Sequence, residues 1–237
     1  MSKQKEIVLI TGASSGIGKS LALELSSKGY ELILSSRNTS SLDDVANSVS
    51  ELGGKAHIIK LDITKTDSVK KLFVKAKKIG FVSIVVNNAG FGKFDSIQNI
   101  DIEDWDSQLS VNLRGPFLIT KFFSESMIQS KRGMFVYINS VAGKKAYPYS
   151  SAYVASKFGL LGFSRSMRAE LKEHNIKVIS VHPGAVDTAF WDNVEGDFPR
   201  SEMMDSKNVA NSIAHAICVP DNVVIEELDI QRTEGDF

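Results

Sequence analysis

The chain has 237 residues, of which 43% are hydrophobic and 24% are charged, and this composition excludes a disordered, a collagen-like or a polytopic membrane chain. Its 28 basic and 28 acidic side chains cancel, so we expect neither a nucleic acid nor a membrane partner. The single cysteine, Cys218, excludes an internal disulfide and argues against a metal site built on thiolates.

The first apolar run, residues 7–11, is too short for a signal peptide or a membrane span, which predicts a cytoplasmic protein. Similar runs rich in β-branched residues alternate with stretches in which apolar residues recur every three or four positions, as in helices. The predicted strands are 6–10, 31–35, 56–61, 83–86, 135–139, 177–181 and a last one near 222–231. The first predicted helix begins near residue 17 and ends at Gly29. Further helices are predicted over about 42–52, 69–76, 103–129 and 151–174.

Strands that alternate with helices and lack hairpin turns are expected to pair in parallel through right-handed crossovers. Because the strands are apolar along their whole length, helices should cover both faces of the sheet. The sequence therefore predicts one doubly wound α/β domain over residues 1–237, with a mostly parallel, seven-stranded sheet.

One stretch, residues 187–205, breaks this alternation, because its aromatic residues Phe190, Trp191 and Phe198 show little periodicity. A long irregular segment inside a compact domain is usually functional, so we predict that it is a substrate loop. A surface excursion whose aromatic side chains enter the core would give the same pattern.

A glycine-rich turn joins the first strand to the first helix. Its glycines permit a tight turn and a close approach of the backbone to a pyrophosphate, and the helix N-terminus offers unpaired N–H groups and positive potential. A tight turn without a ligand would look similar. The residues predicted to hold a dinucleotide here are Gly12, Ser14, Ser15, Gly16, Ile17 and Gly18.

The end of the second strand indicates which dinucleotide binds. A site for NAD usually has a carboxylate there, whereas this chain has Ser36 followed by Arg37 and Asn38. A guanidinium can bind a 2′-phosphate through paired charge-assisted hydrogen bonds, which a carboxylate would repel. The pattern favours NADP(H), unless Arg37 is an ordinary solvated charge.

The ends of the third and fourth strands complete the predicted cofactor site. Asp62 and Ile63 follow the third strand, where an adenine ring would lie, although Asp62 could equally cap a helix. Asn88, Ala89 and Gly90 follow the fourth strand. Small residues there would let the backbone pass a ribose, and an asparagine side chain can pin neighbouring strands.

The strongest chemical pattern combines Ser140 at the end of the fifth strand with Tyr153 and Lys157 on the following helix. Positions i and i+4 share one helix face, so a nearby ammonium is expected to lower the pKa of the phenol from about 10. Such a tyrosine can exchange a proton with a carbonyl or alcohol oxygen, which the Ser140 hydroxyl can also hold.

Together these segments resemble the short-chain dehydrogenase/reductase family in its order and spacing, over about residues 5–190. The motifs that carry the resemblance are Thr11-Gly-x3-Gly-x-Gly18, Asn87-Asn-Ala-Gly90, Ser140, Tyr153-x3-Lys157 and Pro183-Gly184. The resemblance implies a single-domain Rossmann fold that exchanges hydride between NAD(P)(H) and a small carbonyl or alcohol. It implies a fourth catalytic position at Asn112, which would kink its helix and hold a water beside Lys157. It also implies that Tyr153 and Lys157 contact the nicotinamide ribose. The residues that it implies near the carboxamide are Pro183, Gly184, Val186 and Thr188.

The C-terminus lacks the Asp-Gly-Gly ending of many members and is similar to the 3-hydroxy-acid dehydrogenase-like and sepiapterin/benzil reductase-like branches. We therefore expect an NADP(H)-dependent carbonyl reductase or 3-hydroxy-acid dehydrogenase. One alternative is a 3-oxoacyl-[acyl-carrier-protein] reductase, for which Lys131, Arg132, Arg165 and Arg168 could form a basic docking patch. The other is a non-catalytic NADP(H)-binding sensor or scaffold. The family's two long helices pack against symmetry mates, so a homodimer or homotetramer is expected.

Overall fold

A computed structural model describes residues 6–194 and 198–235 as one α/β domain. The central sheet has seven parallel strands in the order β3-β2-β1-β4-β5-β6-β9. These strands are β1 (Ile7–Thr11), β2 (Glu31–Ser35), β3 (Lys55–Ile58), β4 (Val82–Asn87), β5 (Gly133–Ile138), β6 (Ile176–Pro183) and β9 (Glu227–Ile230). The helices are α1 (Gly16–Ser27), α2 (Ser40–Glu51), α3 (Thr66–Ile79), α4 (Ile102–Leu109), α5 (Gly115–Ser130), α6 (Ser151–Leu171) and α7 (Ser206–Ile217).

The core lies in two layers, one on each face of the sheet, because side chains alternate between the faces along each strand. One layer packs α1, α2 and α7 against the sheet through side chains such as Leu21, Val45 and Ile213. The other packs α3, α5 and α6 through side chains such as Leu72, Phe123 and Leu160. Burial on both faces explains why the strands are apolar along their whole length, and it confirms the doubly wound prediction.

The strand order reverses between β1 and β4, which pair with each other while β2 and β5 lie on their outer sides. The crossovers from β1 and from β4 leave in opposite directions at this point, so their first turns separate and open a crevice at the carboxyl ends of the strands. The glycine-rich turn follows β1, and Asn88 to Gly90 follow β4. The topology therefore brings both predicted segments to one crevice.

The predicted helix over 103–129 is present without a gap, but its winding changes around Asn112. A π-helical turn, Ser110–Arg114, joins α4 to α5. A π-helical turn inserts one extra residue into the helix and is common at functional sites. This irregular turn lies at the position where the family resemblance implies a kink.

The sequence-based prediction was least accurate near the C-terminus. It omitted α7, whose buried face includes Val209, Ile213 and Ile217, and it made the last strand too long, since β9 covers only Glu227–Ile230. The third strand is also shorter than predicted and ends at Ile58. The ends of β3 and β9 are set by pairing with the neighbouring strand rather than by the length of the apolar run.

The irregular stretch 187–205 has short elements of its own, although residues 195–197 within it lie outside the described part of the chain. Strands β7 (Val186–Asp187) and β8 (Met204–Asp205) pair in parallel at its base. Two 3-10 helices, Ala189–Asn193 and Arg200–Glu202, lie between them. None of the described helices is both long and apolar enough to cross a bilayer.

Candidate active site

A large cavity of about 1110 Å³ opens along the carboxyl ends of β1, β2, β4, β5 and β6. An open parallel sheet places its ligand crevice at this edge. The cavity brings together nearly all predicted site residues. Those that line it are Gly12, Ser14, Ser15, Gly16, Ile17, Ser36, Arg37, Asn38, Asp62, Ile63, Asn88, Ala89, Gly90, Ser140, Tyr153, Lys157, Pro183, Gly184, Val186 and Thr188. Gly18 and Asn112 lie behind this wall.

The glycine-rich turn is compact because two of its positions leave no room for a side chain. Gly12 has φ +67, a left-handed conformation that favours glycine, and its N–H donates to the Ser35 carbonyl at 2.7 Å. A β-carbon at Gly18 would lie 2.5 Å from Asn88 Nδ2 and closer still to the Gly12 carbonyl oxygen. The first turn of α1 therefore packs directly on the strand end, with its free N–H groups facing the cavity.

Asn88 pins β1 to β4, as the sequence predicted. Its Nδ2 donates to the carbonyl oxygens of Thr11, at 3.0 Å, and Gly12, at 2.9 Å. In return the Thr11 hydroxyl oxygen accepts from the backbone N–H groups of Asn88 and Ala89, both at 3.1 Å. These reciprocal bonds fix the two strand ends that face each other across the crevice.

The end of β2 carries an exposed cation and a small self-contained turn. The Ser36 hydroxyl donates to the Asn38 carbonyl at 2.7 Å, and Asn38 Oδ1 accepts from Ser40 N–H and hydroxyl groups at 3.1 and 2.7 Å. The Asn38 side chain thus organises the start of α2. Mainly the backbone of Asn38 is left to contact a ligand. Arg37 is exposed at the cavity mouth.

Asp62 organises the turn before α3 and does not cap that helix, whose N-cap residue is Lys65. Asp62 Oδ1 accepts from the Thr64 N–H at 3.0 Å and from the Thr64 hydroxyl at 2.7 Å, in the turn that leads into α3. The Thr64 hydroxyl, and to a smaller degree the Arg37 charge, hold the pKa of this carboxyl below its usual value. Ile63 is buried against Gly115, where a β-carbon would lie 2.7 Å from Ile63 Cγ1.

Ser140, Tyr153 and Lys157 meet at the centre of the cavity wall. Ser140 is extended at the end of β5, and its Oγ accepts from the Ala142 N–H at 3.1 Å. Lys157 Nζ lies 5.5 Å from the centroid of the Tyr153 ring and donates to the Ile138 carbonyl at 3.0 Å. The predicted shared face of α6 is confirmed, and the three polar groups converge on one point of the cavity.

The expected lowering of the phenol pKa is wrong for this arrangement. Burial raises the pKa of Tyr153 to about 12, and only a hydrogen bond with the Ser140 side chain acts in the opposite direction. Burial also lowers the pKa of Lys157 to about 8. The low-polarity wall penalises the charged form of each group, and this penalty outweighs the attraction between phenolate and ammonium that sequence spacing suggested.

Asn112 is buried behind this cluster, in the π-helical turn. Its Oδ1 accepts from the Phe91 N–H at 3.1 Å, and its Nδ2 donates to the Phe91 carbonyl at 2.9 Å and to the Ser156 hydroxyl at 3.1 Å. A β-carbon at Gly90 would lie 3.2 Å from Asn112 Oδ1 and 3.6 Å from Lys157 Nζ. Asn112 therefore ties the loop after β4 to α6 immediately beside Lys157.

The segment after β6 closes the cavity opposite the glycine-rich turn. A β-carbon at Gly16 would lie 3.0 Å from Thr188 Cγ2, so the two segments nearly touch. Gly184 is covered by the C-terminal tail, since a β-carbon there would overlap the Gln231 side chain. The Val186 carbonyl accepts from Trp191 Nε1 at 3.0 Å.

Two further residues have structural roles around the site, and the sequence-based prediction missed the first of them, Arg200. Arg200 donates to Asp187 at 2.6 Å, to Asp192 at 3.0 Å and to the Thr188 carbonyl at 2.9 Å, which closes the 187–205 loop on itself. His182 Nδ1 lies 3.2 Å from the Ser140 carbonyl oxygen, and burial lowers the pKa of His182. The opposite charges spaced along the loop were a possible signal for Arg200.

Across residues 6–194 and 198–235, no three His, Cys, Asp or Glu side chains come together as metal ligands. The polar groups of the cavity are hydroxyls, amides, backbone N–H groups, a few cations and two carboxylates, Asp62 and Asp95. This set suits an anionic dinucleotide, since glycines leave the backbone free, a helix N-terminus faces the cavity and Arg37 is exposed at its mouth. Fold and site thus define a nucleotide-dependent enzyme of the Rossmann type.

Comparisons with known proteins identify the family. The family model described as short chain dehydrogenase matches residues 6–197. A sepiapterin reductase of Chlorobaculum tepidum is 33% identical over 98% of both chains. A 3-oxoacyl-[acyl-carrier-protein] reductase of Thermotoga maritima is 34% identical, over 79% of this chain and 77% of its own length. An alcohol dehydrogenase of the archaeon Thermococcus sibiricus, solved with 5-hydroxy-NADP, superposes with a TM-score of 0.90 at 28% identity over 97% of both chains.

The chain therefore belongs to the short-chain dehydrogenase/reductase family. It is an oxidoreductase that acts on CH–OH groups with a nicotinamide cofactor.

Proposed function

We propose that the protein transfers a hydride between NADP(H) and a small carbonyl or secondary alcohol, with Tyr153 as the proton donor and acceptor. The observation that carries this proposal is the convergence of Tyr153, Ser140 and Lys157 on one point of the 1110 Å³ cavity. A bound nicotinamide would supply or accept the hydride, and the chain's own residues would position the substrate oxygen and move its proton.

The phenol is suited to reduction at neutral pH. With a pKa of about 12, Tyr153 holds its proton and can donate it to a carbonyl oxygen that becomes an alkoxide. The Ser140 hydroxyl, already hydrogen-bonded with the phenol, would hold the same oxygen. In the reverse direction the phenolate takes the proton of the alcohol, so the rate of oxidation should rise with pH.

Lys157 and Asn112 have supporting roles in this proposal. Lys157 has a pKa of about 8 and is mostly protonated at neutral pH, so its ammonium would stabilise the phenolate and donate to the nicotinamide ribose. The Ile138 carbonyl holds one of its three donors. Asn112 is fixed by Phe91 and Ser156, and would hold a water that connects Lys157 to solvent.

The preference for NADP(H) rests on the end of β2. Ser36 replaces the carboxylate that would repel a 2′-phosphate, and Arg37 is an exposed cation at the cavity mouth. Among the described residues, the Arg37 guanidinium donates no hydrogen bond to a carboxylate. The related archaeal alcohol dehydrogenase, solved with 5-hydroxy-NADP, supports the same choice.

Carbonyl reduction of a free small molecule is favoured over reduction of a carrier-bound thioester. Two of the four residues of the predicted basic docking patch pair with an acid, because Arg165 donates to Glu227 at 2.7 Å and Arg168 lies 3.7 Å from the same carboxylate. Arg132 lies over the Phe81 ring, 5.2 Å from its centroid. The sepiapterin reductase relative, similar over 98% of both chains, also reduces a free compound by its name.

The test combines NADPH titration with turnover in Tyr153→Phe, which keeps the ring and removes only the hydroxyl. We expect NADPH affinity within about threefold of the parent and a loss of about 10²–10⁴-fold in kcat, the range for a general acid. Lys157→Ala should weaken both turnover and NADPH binding. Parental turnover by Tyr153→Phe would show that another group is the acid.

A further inference from the structure

Five aromatic rings form one continuous wall beside the catalytic tyrosine, and we refer to them as the aromatic slot. They are Phe94, Tyr153, Phe190, Trp191 and Phe198. The Tyr153 ring centroid lies 5.5 Å from that of Phe94 and 5.6 Å from that of Phe190, with interplanar angles of 73° and 60°. Phe190 continues to Trp191 at 5.3 Å, and Trp191 to Phe198 at 4.7 Å.

The slot is assembled from segments that are far apart in sequence. Phe94 comes from the loop after β4, Tyr153 from α6, and the other rings from the 187–205 loop. Gly92 makes the junction possible, because a β-carbon there would lie 2.7 Å from Cζ of both Phe94 and Phe190. The edges of the two rings thus meet over a backbone without a side chain.

Polar contacts outside the slot hold its outer rings in place. Trp191 Nε1 donates to the Val186 carbonyl at 3.0 Å, which sets the plane of the indole. Arg200 joins Asp187, at the start of the loop, to Asp192, which follows Trp191. A wall fixed in this way loses little side-chain freedom when a ligand binds, so it favours a rigid ligand of matching shape.

The chemistry of the slot selects against charged and flexible ligands. None of its five side chains carries a charge at neutral pH, and all five line the cavity with partly exposed rings. Tilted rings 4.7 to 6.2 Å apart present edges and faces that attract a further aromatic ring beyond its burial alone. A saturated ring or an acyl chain gains only the burial.

We propose that the substrate is an uncharged carbonyl compound with a flat aromatic ring, which packs in the aromatic slot while the carbonyl oxygen lies at Tyr153 and Ser140. This proposal rests on the reductase function proposed above, and it adds the substrate class. The hydride goes to the carbonyl carbon and the Tyr153 proton to the oxygen, so that the ketone becomes a secondary alcohol and NADPH becomes NADP⁺.

The experiment compares two ketones that differ only in the ring: phenylacetone and cyclohexylacetone. In both, a methylene separates ring from carbonyl, so their intrinsic reactivity towards hydride is similar. Steady-state kcat/KM with NADPH should favour phenylacetone by about 3- to 10-fold, the effect of one or two aromatic contacts. In Phe190→Leu and in Phe94→Leu, which keep apolar volume, this preference should fall to near unity, mainly through a higher KM for phenylacetone.

Phe117→Leu is the matched control, because Phe117 is an exposed ring on α5 that does not line the cavity. It should keep the parental preference, and all three variants should keep parental NADPH affinity. Equal or higher kcat/KM for cyclohexylacetone, or a preference that survives both slot variants, overturns the aromatic slot as the substrate site while the reductase function stands. No turnover of either ketone by enzyme that binds NADPH overturns the proposed substrate class, whereas the proposed role of Tyr153 in reduction is tested separately by turnover in Tyr153→Phe.

Discussion

Replacing Gly18 by alanine should damage the cofactor site and the fold together. The new β-carbon would lie 2.5 Å from Asn88 Nδ2, about 1 Å inside an ordinary contact distance of ~3.5 Å. The other opposing atom is the Gly12 backbone carbonyl oxygen, and Asn88 Nδ2 is itself held by two hydrogen bonds, so the first turn of α1 must shift. Overpacking of this kind costs about 1–3 kcal/mol.

The shift also breaks the hydrogen bond from Asn88 to the Gly12 carbonyl, at 2.9 Å, which adds about 1 kcal/mol. The free energy of unfolding should therefore fall by about 2–4 kcal/mol, which lowers Tm by roughly 4–15 °C for a domain of this size. Displaced backbone N–H groups would bind a pyrophosphate less well. Hydrogen bonds to charged groups are worth about 1.5–3 kcal/mol each, so NADPH affinity should fall at least about 10-fold.

Gly29→Ala separates the loss of binding from the loss of stability. Gly29 has φ +87, and a β-carbon there would meet no atom within 4 Å, so alanine costs about 1–2 kcal/mol through backbone strain alone. Calorimetry and NADPH fluorescence titration on both variants give the comparison. Gly29→Ala should lose stability yet bind NADPH like the parent. If Gly18→Ala keeps parental Tm and parental affinity, the turn is not as tightly packed as we describe.

Three further predictions concern the cofactor, the edge strand and assembly. Arg37→Ala should weaken NADPH binding about 10- to 100-fold and leave NADH unchanged, and equal losses for both cofactors in a titration would contradict the phosphate contact. Hydrogen bonds from Arg165 and Lys144 lower the pKa of Glu227 to about 2. Because the unfolded pKa is near 4.5, these bonds stabilise the fold at higher pH, and this stability is lost as pH falls from about 5 to 2. Glu227→Gln should therefore lower stability by roughly 1–2 kcal/mol at pH 7, with a smaller difference from the parent in thermal melts at pH 3. Sedimentation at micromolar concentration should show a homodimer or homotetramer, because α6 exposes Phe158; a species of only 26.0 kDa would refute this.

Local sequence was sufficient for much of the fold and for the parts of the site that lie at strand ends. A buried parallel strand must be apolar on both faces, and a turn that brings backbone to a phosphate must contain glycine, so both leave direct marks in the sequence. The i, i+4 spacing likewise placed Tyr153 and Lys157 together, since helix geometry fixes it. Parallel pairing then brings all strand ends to one edge.

Only the tertiary structure decided the features that depend on distant neighbours. The pKa of Tyr153 rises because the cavity wall excludes water, and no spacing rule contains that burial. The aromatic slot unites Phe94 and Phe190, which are almost one hundred positions apart and meet over Gly92. Helix α7 and the short β9 are likewise set by what they pack against. Chain-local patterns determine which elements form, whereas the electrostatics and the shape of the cavity arise from contacts that exist only after folding.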